Sequence, residues 1–399
     1  MSAPQPRHRH ANRILALAPQ VQAWRRDLHR HPEIGFEEVR TARIVAEALR
    51  AVGVDEVCEG VAGTGVVGLI RGRGPGPCIG FRADMDALPM QERNGFDHAS
   101  TVPGKMHACG HDGHTAMLMG AAQLLAEARD FDGTVALIFQ PAEEGGGGGR
   151  VMVEEGLFDM APCDSVWGLH NWPELPLGTF ASLSGGVMAG IDYFDIAVRG
   201  QGTHAGMPHQ GADTVLAAAH LVAAIQSVPG RAVSPHDTAT IGVSMFRGSD
   251  AYVVMPEEAV IGGSVRYFRE EVRALAEGRI RALAAGIASG FDCEAVVDYR
   301  ENYPPCVNPA AEAAFAAEAA DGLGMQVVTE HEPCMAGEDF SFMLNARPGN
   351  YIWMGTASAA HRSGRLHYPD YDFNDASIPL GVAYWLELAD RLLGGGGRA

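Results

Sequence analysis

Metal-ligand side chains recur in this chain where apolar, strand-like runs give way to turns or glycine-rich segments, and that placement constrains its fold more than any other feature. Cys109 and His111 lie in Met106-His107-Ala108-Cys109-Gly110-His111-Asp112-Gly113-His114, directly ahead of a helical pattern. Glu143 and Glu144 follow the continuous apolar run Thr134–Gln140 and precede the glycine run 145–149. His170 closes the apolar run 165–169, and His367 stands in Leu366-His367-Tyr368-Pro369. Side chains at strand ends can converge above one sheet edge, so the pattern predicts an α/β fold with its site at the carboxyl ends of the strands.

The donor types point to a metal. Thiolate, imidazole and carboxylate together suit a transition ion such as Zn, Mn, Co or Ni. Glu143 and Glu144 are adjacent in extended chain and face opposite ways. One can therefore bind metal while the other faces a bound water, first as general base and then as acid to the leaving group. Asp84 and Asp86 have period-two spacing and share a face; carboxylates beside metal sites often orient ligand imidazoles, although a turn into Pro89 would also use them. His107 and His114 read equally as ligands or as ordinary hydrogen-bonded histidines.

Periodicity predicts helices over 14–31, 37–52 and 112–128, a short helix over 151–155, and strands over 65–71, 78–83, 134–140 and 165–169. Near Ser184-Gly185-Gly186 the pattern changes to β-α-β-β-α-β: strands 193–198, 238–246, 259–268 and 294–300 with helices 215–228 and 271–289. A smaller α+β domain over 184–301, inserted between catalytic parts 1–183 and 302–399, follows; helices close the chain over 310–323 and 375–391. A chain of 399 residues suits such a two-domain arrangement.

Composition narrows the partners. A net charge of −19 disfavours nucleic acid and anionic membrane as partners, and the hydrolase-like donor set points to a small-molecule substrate. Seven cysteines in a scattered, odd set do not form a disulfide framework and suit a reducing, cytoplasmic setting. The first twelve residues carry no apolar core of a signal peptide, and Arg7-His8-Arg9-His10 reads as a disordered tail whose removal before Ala11 is harmless.

With Cys-Gly-His-Asp-Gly-His at 109–114 and Gln-Pro-Ala-Glu-Glu-Gly at 140–145, the chain resembles the M20 metallopeptidase family. The branch it is most similar to is that of amidohydrolases acting on hippurate, N-acyl-L-amino acids and auxin conjugates. The resemblance runs from His29-Arg30-His31-Pro32-Glu33 to Tyr371-Asp372-Phe373-Asn374-Asp375. It implies a larger metal-binding sheet domain of the zinc-exopeptidase type, an inserted lid and dimerisation domain, and two divalent ions (Zn, Mn, Co or Ni) per subunit of a homo-oligomer, dimer or tetramer. Carried over by motif, Cys109 is a bridging ligand, His111, Glu144, His170 and His367 are the other ligands, Glu143 is the base and Asp86 orients the site. His204, in Gly202-Thr203-His204-Ala205-Gly206, matches a lid histidine that polarises the scissile carbonyl. Arg266 is a candidate for bidentate pairing with a substrate carboxylate.

The expected reaction is hydrolysis of N-acyl or N-aroyl amino acids by a metal-bridging hydroxide, with dipeptidase or N-acetyl-amino-acid deacetylase as alternatives within the family. A Cys109 nucleophile amidase is the alternative outside it. Three positions depart from the family pattern: Val253 replaces an asparagine, Ser264 a threonine and Thr203 a glycine. Loss of the amide at 253 touches recognition of the polar end of the substrate.

Overall fold

The computed structural model describes residues 4–359, 361 and 364–394. Two compact units are present: Met1–Val187 with Val307–Glu332 and Asp339–Ala399, and Met188–Cys306 with Pro333–Glu338. The sequence placed these boundaries at 183/184 and 301/302, and did not foresee that 333–338 belongs to the smaller unit.

The larger unit is built on an eight-stranded mixed sheet. Its first five strands are β1 (Glu56–Val61), β2 (Gly65–Arg71), β3 (Cys78–Asp84), β4 (Thr134–Gln140) and β5 (Ser165–Pro176), and β6 is Thr179–Ala181. In space the order is β1-β2-β4-β3-β5, then Gly349–Ala357, β6 and Gln326–Val328. Strands β4, β3, β5 and Gly349–Ala357 run parallel to their neighbours in that order. All seven residues of β3 are buried, as are six of seven in β4, which is why these runs read as continuously apolar rather than alternating.

Three helices cover the sheet: α1 (Ala11–Arg30), α3 (His111–Ala128) and the terminal helix Ile378–Leu393, while α2 (Val39–Ala51) packs beside them. Val21, Leu118, Phe81 and Trp385 belong to one core, with the Phe81 and Trp385 rings 4.9 Å apart. Truncating a side chain such as Phe81 to alanine there costs about 3–5 kcal/mol.

The smaller unit is a four-stranded antiparallel sheet in the order Ala239–Arg247, Glu258–Tyr267, Gly190–Arg199, Glu294–Tyr303. Helices Thr214–Ile225 and Glu270–Gly290 supply the rest of its core, which includes Phe194, Leu221, Ile261 and Ile280. The element order is β-α-β-β-α-β, as the period switch predicted.

Two sequence readings need correcting. His170 does not end a strand: β5 continues to Pro176, because 170–172 pair with Trp353–Gly355. Nor is the amino-terminal segment a loose tail. Pro6 is buried, Arg7 N donates to Leu323 O (2.8 Å), His8 Nε2 lies 3.1 Å from Asp390 Oδ2 and Arg9 pairs with Asp130 at 2.7 Å. Its basic residues meet acidic partners that are distant in sequence, which composition alone did not reveal.

Candidate metal centre

The site begins at a reversal of chain direction across the sheet. From β3 the chain crosses to β4 on one side and then returns past β3 to β5 on the other. Crevices outside the carboxyl ends of such strands are natural ligand sites. Asp84 ends β3 and pairs with Gln140 at the end of β4. His170 stands two residues beyond the Arg82–Gly168 pair of β3 and β5. The start of α3 fills the same space. Its N-cap, Gly110, has φ +92°, and a Cβ there would fall 2.4 Å from Asn171 Nδ2 and 2.6 Å from Tyr371 Oη, so only glycine lets His111 enter the crevice.

Donor atoms then converge. One atom each from Cys109, His111 and Glu144 lie within 4.8 Å of one another. His170 Nε2 is 3.4 Å from Cys109 Sγ, and His367 Nε2 is 3.1 Å from Glu144 Oε1. Five residues from four separate segments thus form one continuous cluster. His111 Nε2 and Glu144 Oε1 are buried and have no hydrogen-bond partner. Unpaired buried polar atoms are costly. A cation between them would remove the cost.

Charge supports the same reading. Burial disfavours a charged His111 ring, yet Asp84, Asp86 and Glu144 outweigh it and push its pKa up to about 10. The pocket is thus built to hold positive charge. Burial, with Glu144 and Glu143 adding, pushes the Cys109 thiol well up, so a thiolate there needs a cation beside it. The residues present fit a metal.

The surrounding polar groups orient these donors. His111 Nδ1 donates to Asp86 Oδ1 at 3.1 Å, so Nε2 is the nitrogen that bears the lone pair once the ring gives up its second proton, and Asp86 Oδ2 accepts from Glu144 N at 2.9 Å. His170 Nδ1 donates to Asn171 O at 2.7 Å, which likewise frees Nε2. His114 resolves differently. Its Nδ1 donates to Asp84 Oδ1 (2.6 Å) and its Nε2 accepts from Asn171 N (2.9 Å), so both ring nitrogens are committed and it acts as an orienting group. His107 is buried with both ring nitrogens unpartnered, and burial lowers its pKa to about 4.

Glu143 is buried at a tight turn. Ala142, just before it, has φ +51°, and His367 has φ +62°; left-handed backbone at non-glycine residues is concentrated at functional sites. The glycine run wraps this turn so closely that a Cβ on Gly148 would lie 1.8 Å from Pro141 O.

Two candidates lie on the smaller unit. His204 is exposed on a short strand paired with Val254–Met255, and its Nδ1 accepts from Gly206 N at 3.0 Å. The neutral ring therefore carries its proton on Nε2. Arg266 lies on Glu258–Tyr267, half-buried, and donates through Nη1 to Met335 O.

Sequence reasoning missed the supports beneath the site. Arg82 bonds Gln140 Oε1 (2.8 Å), Asp84 Oδ2 (2.7 Å) and Asp339 Oδ1 (3.2 Å), and Tyr371 Oη donates to Asn171 Oδ1 at 2.6 Å. An arginine inside an otherwise apolar strand was the available signal, since a buried guanidinium needs acidic partners.

The family model for "Peptidase family M20/M25/M40" matches residues 80–391. Among curated proteins, the chain is 39% identical to the IAA-amino acid hydrolase ILR1-like 4 of Arabidopsis thaliana (92% of this chain, 84% of that protein). It is 37% identical to the N-acetylcysteine deacetylase of Bacillus subtilis (92% and 94%) and 37% identical to the hippurate hydrolase of Campylobacter jejuni (95% and 98%). Among solved structures, a Bacillus subtilis protein described as a dinuclear metal-binding peptidase from the M20 family superposes with TM-score 0.83 at 34% identity, covering 95% of this chain and 99% of that one.

Proposed function

From the premise that this chain belongs to peptidase family M20/M25/M40 and is a metal-dependent hydrolase of amide bonds, we propose that it cleaves N-acyl or N-aroyl amino acids of the hippurate kind. The observation that carries this reading is the approach of Glu144 Oε1 and His367 Nε2 to 3.1 Å, where Glu144 Oε1 accepts no hydrogen bond, beside Cys109 and His111. Cys109, His111, Glu144, His170 and His367 would hold two divalent ions, drawn from Zn, Mn, Co or Ni by their mixed soft and borderline donors. When bound, such ions supply Lewis acidity and make water acidic near neutral pH.

The chain's own groups do the rest. Glu143 accepts the proton of the attacking water and returns it to the departing amine nitrogen, so the carbonyl–nitrogen bond breaks and a carboxylate and an amine leave. His204, with its proton on the outward Nε2, donates to the carbonyl oxygen as negative charge develops there. Arg266 takes the carboxylate of the amino-acid half. Asp86 fixes His111 and the Glu144 amide. The smaller unit serves as lid and as contact surface in a dimer or tetramer. The odd, scattered set of seven cysteines supports a reducing, cytoplasmic setting.

A metal-supplemented screen over N-benzoyl, N-acetyl and dipeptide substrates tests the substrate class: preference for dipeptides would move the reading to a peptidase. Within that assay Glu143→Ala should retain metal and lose about 10²- to 10⁴-fold in kcat. Wild-type turnover in that variant would remove Glu143 from its role. Chelator-resistant activity blocked by a thiol reagent would instead favour Cys109 as nucleophile.

A further inference from the structure

We infer that Glu38 is a positioning residue for the general base, a role that rests on Glu143 being that base. Glu38 is completely buried and stands at the N-cap of α2, yet its side chain caps no amide of that helix. Instead Oε1 accepts from Ala142 N at 2.8 Å and Oε2 accepts from Thr64 Oγ1 at 2.6 Å. Ala142 is the left-handed residue directly ahead of Glu143.

The residues just ahead of Glu38 serve the same contact. A Cβ on Gly35 would lie 2.9 Å from Ala142 Cβ, so the 35–38 segment rests directly against this turn. From the other side, Gly148 N donates to Ala142 O at 3.1 Å. Farther along, Glu144 N is held by Asp86 Oδ2. The amides of the residues before and after Glu143 are therefore each bound to a buried carboxylate, which holds the backbone on both sides of it.

The energetics explain why a carboxylate is spent here. Left-handed backbone at a non-glycine residue is unfavourable and persists only where its surroundings over-determine it. Ala142 N would otherwise be a buried, unpaired donor. Burial holds the carboxyl of Glu38 at a pKa of about 7, far from its usual range, which a group kept only for solubility would not tolerate. A reacting group displaced by about 1 Å can lose on the order of 10²-fold in rate, so a tether on the residue next to the base affects kcat directly.

Reach and charge can be separated at this position. Glu38→Asp keeps the charge and withdraws the acceptor by one methylene; Glu38→Gln keeps an acceptor for Ala142 N and a donor for Thr64 while removing the charge. Both are measured with metal-reconstituted full-length enzyme on N-benzoylglycine, with metal content determined alongside. Glu38→Asp should lose about 10- to 100-fold in kcat with KM within about twofold and metal content unchanged, whereas Glu38→Gln should stay within about threefold of wild type. In a Glu143→Ala background, Glu38→Asp should cost nothing further. The inference is overturned if the Asp variant is active and the Gln variant is not, if metal is lost with activity, or if Glu38→Asp costs the same without Glu143. Failure of the base assignment shows separately, as an active Glu143→Ala single variant.

Discussion

His29→Gln probes the buried charge network behind the site. His29 lies between Asp112 (Nδ1 to Oδ2, 2.8 Å) and Glu92 (Nε2 to Oε1, 3.3 Å) with no solvent exposure. Burial alone would discharge the ring; Asp112 and Glu92 reverse this and raise its pKa from 6.5 to about 9. Because the folded value exceeds the unfolded one, the stabilisation is complete below pH 6.5 and is lost as pH climbs through about 9. At about 1.4 kcal/mol for each pH unit between the two values, the window spans roughly 3.5 kcal/mol. Arg25 Nη1, 3.5 Å from the same Asp112 oxygen, keeps that carboxylate partnered when His29 is neutral, so roughly 2–3 kcal/mol is expected. Glutamine retains an N–H donor for Asp112 but cannot carry the charge. Urea unfolding followed by tryptophan fluorescence from pH 6 to 9.5, on both proteins at fixed metal, gives the gap in stability. The gap should narrow by about 2–3 kcal/mol across that range. A gap that stays constant with pH would refute the charged-histidine account.

Two other outcomes follow from described contacts. Removing the residues before Ala11 should destabilise the protein by about 1–3 kcal/mol, because buried Pro6 and the ion pairs of His8 and Arg9 go with them; an unchanged Tm would contradict that packing. Arg266→Ala should raise KM about 10- to 100-fold for substrates with a free carboxylate and leave their methyl esters unaffected, and equal effects on both would dismiss the pairing.

How much was legible in the sequence depends on whether a residue's partner is near it in the chain. Helix α3 and strand β4 were readable because their apolar residues are local in the chain and form long, nearly unbroken runs. Strand β1 was not, since Glu56-Val57-Cys58-Glu59 lies at an exposed sheet edge and shows no apolar period. Gly349–Ala357 escaped notice because its two polar residues, Asn350 and Thr356, break the apolar run although both are buried. At the site, donor chemistry and placement singled out the segments that carry Cys109, His111, Glu143, Glu144, His170 and His367, while the division of labour between Glu143 and Glu144 rested on the family resemblance. The commitment of both His114 nitrogens could not be read, because Asp84 and Asn171 meet that ring only in three dimensions. Glu38 was hidden for the same reason: its partner, Ala142, is 104 positions away.

The order of the sheet also bears on biosynthesis. Gly349–Ala357 sits between β5 and β6, so a ribosome releases both flanking strands long before the one that joins them. Until then β5 offers an unpaired, apolar border, the kind of edge that invites aggregation or a chaperone. His367 emerges later still, so a prematurely terminated product lacks the fifth of the proposed ligands. Such fragments could not complete the centre, and only nearly finished chains would become competent for catalysis.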